Sequence, residues 1–203
     1  MIMKKICCIL LALVGVFSLS ACKKLDESVW EDVALINENA SFEFKLLEDV
    51  TKKDFSGYIQ GKFDRNESWG PEEWYIGSAY SEEDGKNVRY FVGKFPEVKR
   101  RARIITAIKC EDRDVTFLGG LTLKSGSQAI RTYLEENGFE VIQEPGSNIR
   151  MHLAYKGPLQ VIFAPSDLHS YYDGQEMHEY YDDEGIEWIS FAYKIEFYSY
   201  LYE

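Results

Sequence analysis

The sequence lacks the short motifs that mark the common enzyme classes. It contains no Gly-x-Ser-x-Gly nucleophile elbow, no Walker phosphate loop, no Cys-x-x-Cys pair, no glycine-rich dinucleotide fingerprint and no His-Glu-x-x-His zinc pair. Adjacent acids such as Glu72 and Glu73 could serve acid–base chemistry, but such pairs arise by chance where acids are this frequent. The sequence therefore predicts a protein that is not an enzyme and that carries no cofactor.

Basic residues are scarce. The chain has 23 lysines and arginines against 34 acidic residues, a formal net charge of −11 at pH 7. If residues 1–21 are removed as a leader, the chain loses two lysines and no acidic residue. Its net charge is then 21 minus 34, or −13. This charge repels nucleic acid phosphates and anionic lipid headgroups, so we expect neither as a ligand. It favours either solubility alone or a basic protein partner.

Apolar runs long enough to cross a bilayer are also lacking. The N-terminal run covers residues 6–17, after Lys4 and Lys5, whereas a membrane-spanning helix takes about 20 apolar residues. Two lysines, a short apolar stretch and small residues before a cysteine together predict a secretory signal peptide over residues 1–21.

The end of this leader carries a recognisable pattern. Its last residues, Leu19-Ser20-Ala21-Cys22, resemble the lipobox of bacterial lipoproteins. The resemblance implies cleavage before Cys22 and acylation of its sulfur and its new amino group, so that the membrane is contacted through lipid on Cys22. The alternative is an ordinary cleaved signal that leaves the cysteine free.

The residues after the cysteine bear on the destination. Lys23 and Lys24 stand where some lipoproteins carry the aspartate associated with retention at the inner membrane. The absence of that aspartate favours the outer membrane where the cell has one. We expect a lipid-anchored protein of the cell envelope, at the outer membrane or on the outer face of the cytoplasmic membrane. Two or three acyl chains would hold it there, since each buried methylene contributes about 0.8 kcal/mol.

Few cysteines remain beyond the leader. Cys7 and Cys8 lie within it and Cys22 is the predicted acylation site, which leaves Cys110 without an intramolecular disulfide partner. Alternation of apolar residues places Cys110 on the same strand face as Ile108. The sequence therefore predicts that Cys110 is a small buried hydrophobic residue.

The mature chain is predicted to have an α+β fold built from two tandem units. Residues 22–40 are polar and acidic and are predicted to form a tether, in which one helical turn could be seated on the domain by its apolar residues Trp30, Val33, Ala34 and Ile36. The first unit is then expected over 41–112 and the second over 113–203. Each unit is expected to consist of a helix packed on an antiparallel sheet of about three to four strands. The two units are expected to lie side by side, because neither alone could bury a large core.

Each unit is predicted to begin with a capped helix. Thr51 is the expected N-cap of the first helix, which ends near Gly61, and Ser125 caps the second, which ends at Gly138. The two caps are 74 residues apart (125 minus 51), which suggests an internal repeat. Apolar alternation predicts three strands after each helix, over residues 74–80, 88–95, 101–110, 149–156, 159–164 and 186–202.

The second cap lies in a segment with a family resemblance. The run Gly120-Leu121-Thr122-Leu123-Lys124-Ser125-Gly126-Ser127-Gln128-Ala129-Ile130 resembles the strand-to-helix opening of secreted lipoproteins in the outer-membrane-assembly BamE/SmpA group. Tandem copies of such a unit resemble the architecture of the β-lactamase inhibitor protein. Lys124 departs from the pattern, which usually has glycine there. The resemblance implies a binding role and names no partner.

One segment differs between the two units. Between the last two predicted strands the second unit has about twenty residues, 166–185, that are rich in tyrosine and acid. Tyrosines give a large contact area at low entropic cost, and carboxylates complement a basic partner. The candidate partner-binding residues are Tyr171, Tyr172, Tyr180, Tyr181, Asp182 and Asp183. Alternatively, the segment extends a hairpin, with its acids facing the arginines and lysine of 99–103.

Two weaker candidate sites complete the set. Trp69 precedes a Gly-Pro pair and could be an exposed aromatic anchor or a packing residue. Asp167, His169 and His178 offer oxygen and imidazole ligands for zinc or calcium, although their spacing matches no known metal site.

The function predicted from these features is protein binding by a lipid-anchored envelope protein. We expect it to act as an inhibitor, an immunity protein or an assembly component, through the sheet face and the 166–185 segment. The expected partner is a basic protein or another envelope protein. The alternative function is metal or solute binding at the cell surface.

Overall fold

The computed structural model of the 203-residue chain describes residues 25–63, 70–95, 98–99, 101–143, 151–165, 168–172, 177–181 and 185–193. Side chains are described for all of these residues except 70–71, 143, 168–172 and 177–181. None of the helices in the described residues is long and apolar enough to cross a membrane.

Eight strands of the described chain form one antiparallel sheet. The strands of the large sheet are β1 Ile59–Lys62, β2 Gly70–Ile76, β3 Val88–Lys94, β4 Ile104–Cys110, β5 Glu140–Gln143, β6 His152–Lys156, β7 Leu159–Pro165 and β10 Ile186–Tyr193. A separate two-stranded sheet pairs β8 Leu168–Tyr172 with β9 Met177–Tyr181. In space the order of the large sheet is β1-β2-β3-β4-β10-β7-β6-β5.

The prediction of two tandem units, each with a helix on its own sheet, is wrong. The strands β1 to β4 form one half of the large sheet and β5, β6, β7 and β10 the other, and the halves join where β4 pairs with β10. At this junction Ile108 lies opposite Phe191, and both side chains are fully buried. Joining the halves removes two exposed strand edges and buries both central strands, which separate units would leave open.

The predicted helix between Thr51 and Gly61 is also wrong. Residues 51–58 form turns that lead into β1. The Thr51 hydroxyl accepts a hydrogen bond from the Arg103 amide at 2.9 Å, and the Thr51 amide donates to the Asp49 carboxylate at 2.9 Å. These bonds occupy the polar groups of Thr51 that would have started a helix. A tertiary hydrogen bond to Thr51 therefore takes the place of the N-cap hydrogen bond that the sequence predicted.

The second predicted helix is present as α2, Ser127–Glu136. Its N-cap is Gly126, one residue after the predicted cap, and Ser125 instead forms a capping box with Thr122 in a preceding 3-10 turn. The helix buries Ile130 and Leu134 in the core. It is followed at Gly138 by a residue with φ 80°, the left-handed conformation that glycine readily adopts.

The segment that the sequence predicts as a tether contains a further helix. Helix α1, Glu27–Asn37, begins at the N-cap Asp26, whose carboxylate accepts from the Ser28 amide at 3.1 Å. It buries Val29, Val33 and Ile36 in the same core as α2. The described part of residues 22–40 is therefore attached to the domain by apolar packing.

The core lies on both faces of the large sheet. The larger cluster packs on the side of α1 and α2, and a smaller cluster on the opposite face includes Phe91, Ala107 and Trp188. Cys110 belongs to the larger cluster and is fully buried, as predicted, and burial raises the pKa of its thiol to about 12. A thiol in this environment is packing material rather than a nucleophile.

Candidate functional site

The predicted binding segment 166–185 contains a hairpin, which we call the ribbon, made of β8 and β9. The ribbon is inserted between β7 and β10, which are neighbours in the large sheet. Pro165, the last residue of β7, lies directly opposite Ile186, the first of β10. A two-residue turn can connect strands paired in this way, yet the chain uses the twenty residues 166–185. The sheet therefore does not need the ribbon for its connection.

The register of the ribbon places its aromatic and histidine positions opposite one another. His169 pairs with Tyr180 and Tyr171 pairs with His178. Because positions alternate between the faces of a strand, these four positions belong to one face of the ribbon. Tyr172 and Tyr181 take positions on the other face. The remaining predicted site residues lie outside the described residues: Cys22, Trp69, Asp167, Asp182 and Asp183.

A second candidate, which sequence reasoning missed, is a cleft of about 550 Å³ at the outer end of the first half of the sheet. It lies between the turn segment 51–58 and strands β1 and β2. Its lining is mostly polar and charged, and it carries Lys53, Phe55, Lys62, Glu73, Tyr75 and Arg103.

Three side chains in the cleft bond one another. The Tyr75 hydroxyl donates to Glu73 Oε2 at 2.6 Å, and Arg103 Nη2 donates to the Tyr75 hydroxyl at 2.7 Å and also to Glu73 Oε2. Arg103 and Glu73 retain only 29% and 21% of their side-chain exposure. We call Glu73, Tyr75 and Arg103 the clasp.

Protonation in the clasp follows from this bonding. Burial raises the pKa of Glu73, but the hydrogen bond from Tyr75 and the charge of Arg103 outweigh it, so that the pKa lies below its ordinary range. Burial and the bond to Glu73 raise the pKa of Tyr75. At neutral pH the clasp therefore holds a carboxylate, a neutral phenol and a guanidinium, with Tyr75 acting as a hydrogen-bond donor rather than a base.

A second tyrosine and carboxylate pair lies beside the clasp. The Tyr58 hydroxyl donates to Glu43 Oε1 at 2.5 Å, and the Ser78 amide donates to Glu43 Oε2 at 2.9 Å. Phe55 links the two groups, since its ring stacks on Tyr75 with centroids 3.8 Å apart and meets Tyr58 edge-on at 5.2 Å. Together these contacts fix the segment 51–58 on the sheet.

The sequence carried a partial signal for the clasp. Glu73 and Tyr75 are two residues apart on β2, so a strand places them on the same face. Arg103 comes from a distant part of the chain, immediately before β4. It contacts Glu73 and Tyr75 only because β3 pairs with both β2 and β4. No local pattern could supply that third residue.

The described side chains contain no group of three or more histidine, cysteine, aspartate or glutamate residues placed to hold a metal ion. The ribbon side chains and Asp167 lie outside these described side chains.

Comparison with known proteins gives no relative. No protein-family model matches the chain, and neither a curated protein nor a solved structure does. The sequence resemblances to lipoproteins and to the BamE/SmpA group therefore stay predictions.

Proposed function

We propose that this protein is a lipid-anchored protein of the bacterial cell envelope that binds another protein through the ribbon. The observation that carries the proposal is the pairing of Pro165 with Ile186 on either side of a twenty-residue insertion. A segment that the fold does not require, and that is rich in tyrosine and acid, is typical of a recognition element. The lipobox resemblance at Cys22 supports the location.

The large sheet offers less surface than the sequence suggested. Phe91, Ala107, Ile162 and Ala192 lie at the centre of the face opposite the helices, and at most 2% of each is exposed. The other face is covered by the helices and by residues 41–58. The sheet faces are therefore buried near their centre, which leaves recognition to the ribbon and the periphery.

The cleft is a weaker candidate for recognition than its residue types suggest. Tyrosine and arginine are frequent in binding hot spots. Here, however, the polar groups of Glu73, Tyr75 and Arg103 are bonded to one another. A partner would have to replace bonds that are already charge-assisted. We therefore assign the clasp to the stability of the first half of the sheet.

The charge of the chain indicates the class of partner. With a net charge of −13 after removal of the leader, the surface favours a basic protein and disfavours nucleic acid. The acids that follow Tyr181 in the sequence would steer such a partner towards the tyrosines. An inhibitor, an immunity protein or an assembly component of the envelope would each use a contact of this kind.

The experiment is cross-linking capture from a native envelope extract. Changing Tyr180, Tyr181, Asp182 and Asp183 together to serine is expected to abolish capture of the partner, because it removes both the contact area and the charge. Far-UV circular dichroism of the variant checks that the fold is retained. Undiminished capture by a folded variant would remove the ribbon from the proposal.

A matched control is provided by another exposed turn rich in acid. Tyr80, Glu82 and Glu83 lie between β2 and β3, and Tyr80 is 37% exposed. Changing these three residues to serine removes one tyrosine and two negative charges, which is the number of charges lost in the variant at 180–183. Capture should persist in this control if the ribbon, rather than general acidity, recognises the partner.

The anchor has its own test. Mass spectrometry of the purified native protein should show an acylated cysteine at the new amino terminus, Cys22. Changing Cys22 to serine should release the protein from the membrane fraction. An unmodified terminus in the native protein would contradict the anchored location.

A further inference from the structure

An open apolar groove lies along the exposed side of α1. Its volume is about 700 Å³, and Trp30, Ala34 and Leu35 of α1 form one side of it. Leu46 and Leu47, in the turn that faces the helix, form the other. The groove is on the side of the sheet that holds the larger core cluster.

Trp30 is the most exposed tryptophan whose side chain the structure describes. It is 42% exposed, whereas Trp74 is half-buried and Trp188 is buried. Tryptophan combines a large apolar ring with one N–H donor, and it is enriched where membranes meet water. An open groove with a tryptophan at its rim therefore suits a lipid surface better than a small enclosed ligand.

The distance along the chain to the proposed anchor is short. Leu25 already packs against the core, and it follows Cys22 by three residues. An extended chain spans at most about 3.6 Å per residue, so Leu25 lies within roughly 11 Å of the acylated cysteine. Helix α1 begins two residues later, at Glu27, and Trp30 lies in its first turn, about 4.5 Å further along the axis at 1.5 Å per residue.

We propose that α1 rests against the bilayer and that Trp30 lies among the lipid headgroups. The inference rests on the acylated Cys22 proposed above, and it adds an orientation: the surface of α1 faces the membrane. The headgroup region is several ångströms thick on each side of the hydrocarbon, which is enough to hold an indole ring at the rim of the groove.

Charges around the groove determine which lipid is the right probe. Glu38 and Glu48 line it and are exposed, while Lys45 is held locally, its ammonium donating to the Ala40 carbonyl. Anionic headgroups would be repelled by the two carboxylates. The apolar contact of Trp30 is therefore measured best on vesicles of zwitterionic phosphatidylcholine.

The test uses the full acylated protein, purified from membranes and reconstituted into phosphatidylcholine vesicles with and without brominated acyl chains. Bromine quenches tryptophan fluorescence only at close range. We expect brominated lipid to quench part of the emission of the unchanged protein. We expect that part to be lost in Trp30→Phe and kept in Trp74→Phe, since Trp74 packs with the cluster on the opposite face.

The outcomes separate this inference from the proposed function. Equal quenching of the unchanged protein and Trp30→Phe, with both floating with the vesicles, would overturn the inference and leave the anchor intact. Absence of quenching together with cross-linked dimers through α1 would show that a second copy covers the groove, which also overturns it. Failure of the protein to float, with Cys22 unmodified, would overturn the anchor and the inference together.

Discussion

In the first half of the large sheet, β1 to β4 are covered by residues 41–58, a segment of bends and turns without a helix. In the second half, helices α1 and α2 pack against β7 and α2 also packs against β5. Lys156 of β6 forms an ion pair with Asp32 of α1 at 2.7 Å. Similar strand arrangements are thus stabilised on one side by aromatic stacking and the clasp, and on the other by amphipathic helices.

The comparison teaches where the stability of each half lies. A helix satisfies its own backbone bonds and needs only an apolar stripe to cover a sheet. An irregular segment has no internal ladder, so side chains and the sheet must supply its bonds. The first half accordingly concentrates its tyrosine and carboxylate bonds where the covering segment meets the strands.

The largest effect is expected at the junction that both halves share. Phe191 of β10 is fully buried, and its ring lies 5.7 Å from those of Phe42 and Phe117. Changing Phe191 to alanine should lower the free energy of unfolding by about 3–5 kcal/mol, because it leaves a cavity in a core common to the two halves. Urea unfolding followed by circular dichroism measures the loss.

The matched control is Glu187→Ala on the same strand, where the side chain is exposed and the change should be within about 0.5 kcal/mol. Unfolding should remain a single transition for both variants, since the core cluster is continuous across the junction. Two separate transitions would mean that the halves unfold independently and that the junction is weaker than its burial implies.

A smaller effect is expected in the clasp. Changing Arg103 to glutamine should cost about 1–3 kcal/mol at pH 7, since a partly buried carboxylate loses its charged partner. Because the pKa of Glu73 is lower in the folded than in the unfolded protein, its contribution is complete above the unfolded pKa. That contribution is lost as the pH falls through the folded value, so the cost should shrink in acid. Urea unfolding of both proteins between pH 7 and pH 3 measures it.

The neighbouring carboxylate provides a control for this pH dependence. Glu72 pairs with Lys94 at 2.9 Å, but about half of each side chain is exposed. Changing Lys94 to glutamine should have an effect below about 1 kcal/mol, since exposed ion pairs contribute little. A cost for Arg103→Gln that stays constant down to pH 3 would show that packing, rather than the charge of Glu73, is lost.

The sequence predicted six of the ten described strands, because apolar alternation is local. Strands β3 and β7 lie within a residue of their predicted ends, whereas β2 lies four residues before the predicted 74–80. The merging of the sheets depends on pairing β4 with β10, about eighty residues away along the chain. The one local signal was the nearly continuous burial expected of the sequence Ile-Ile-Thr-Ala-Ile in β4, which is typical of a strand covered on both faces.

The helices show that a local sequence signal for a helix can be overridden by tertiary contacts. The sequence predicted a tether with room for one helical turn in residues 22–40, whereas α1 has 11 residues and buries Val29, Val33 and Ile36 on one face. Thr51 has the residue type of a cap, yet its hydroxyl is used by the Arg103 amide, a tertiary contact that no local pattern contains. The clasp was missed for the same reason.

The smallest expected effect on stability concerns the connection between the last two strands of each half, because the two connections differ in their histidines. The first half has no histidine in residues 95–103, whereas the ribbon holds two of the three histidines of the chain. The register sets position 169 diagonally across from position 178 on one face, a placement that suits two imidazole ligands.

If metal binding is the function, zinc at ten times its dissociation constant should add about 1.4 kcal/mol to the free energy of unfolding. The rise in melting temperature with zinc should disappear in His169→Asn combined with His178→Asn and persist in His152→Asn, whose position is buried in β6. No rise at millimolar zinc, or an equal rise in the double variant, would contradict metal binding by the ribbon and favour its tyrosines and acids as the recognition element.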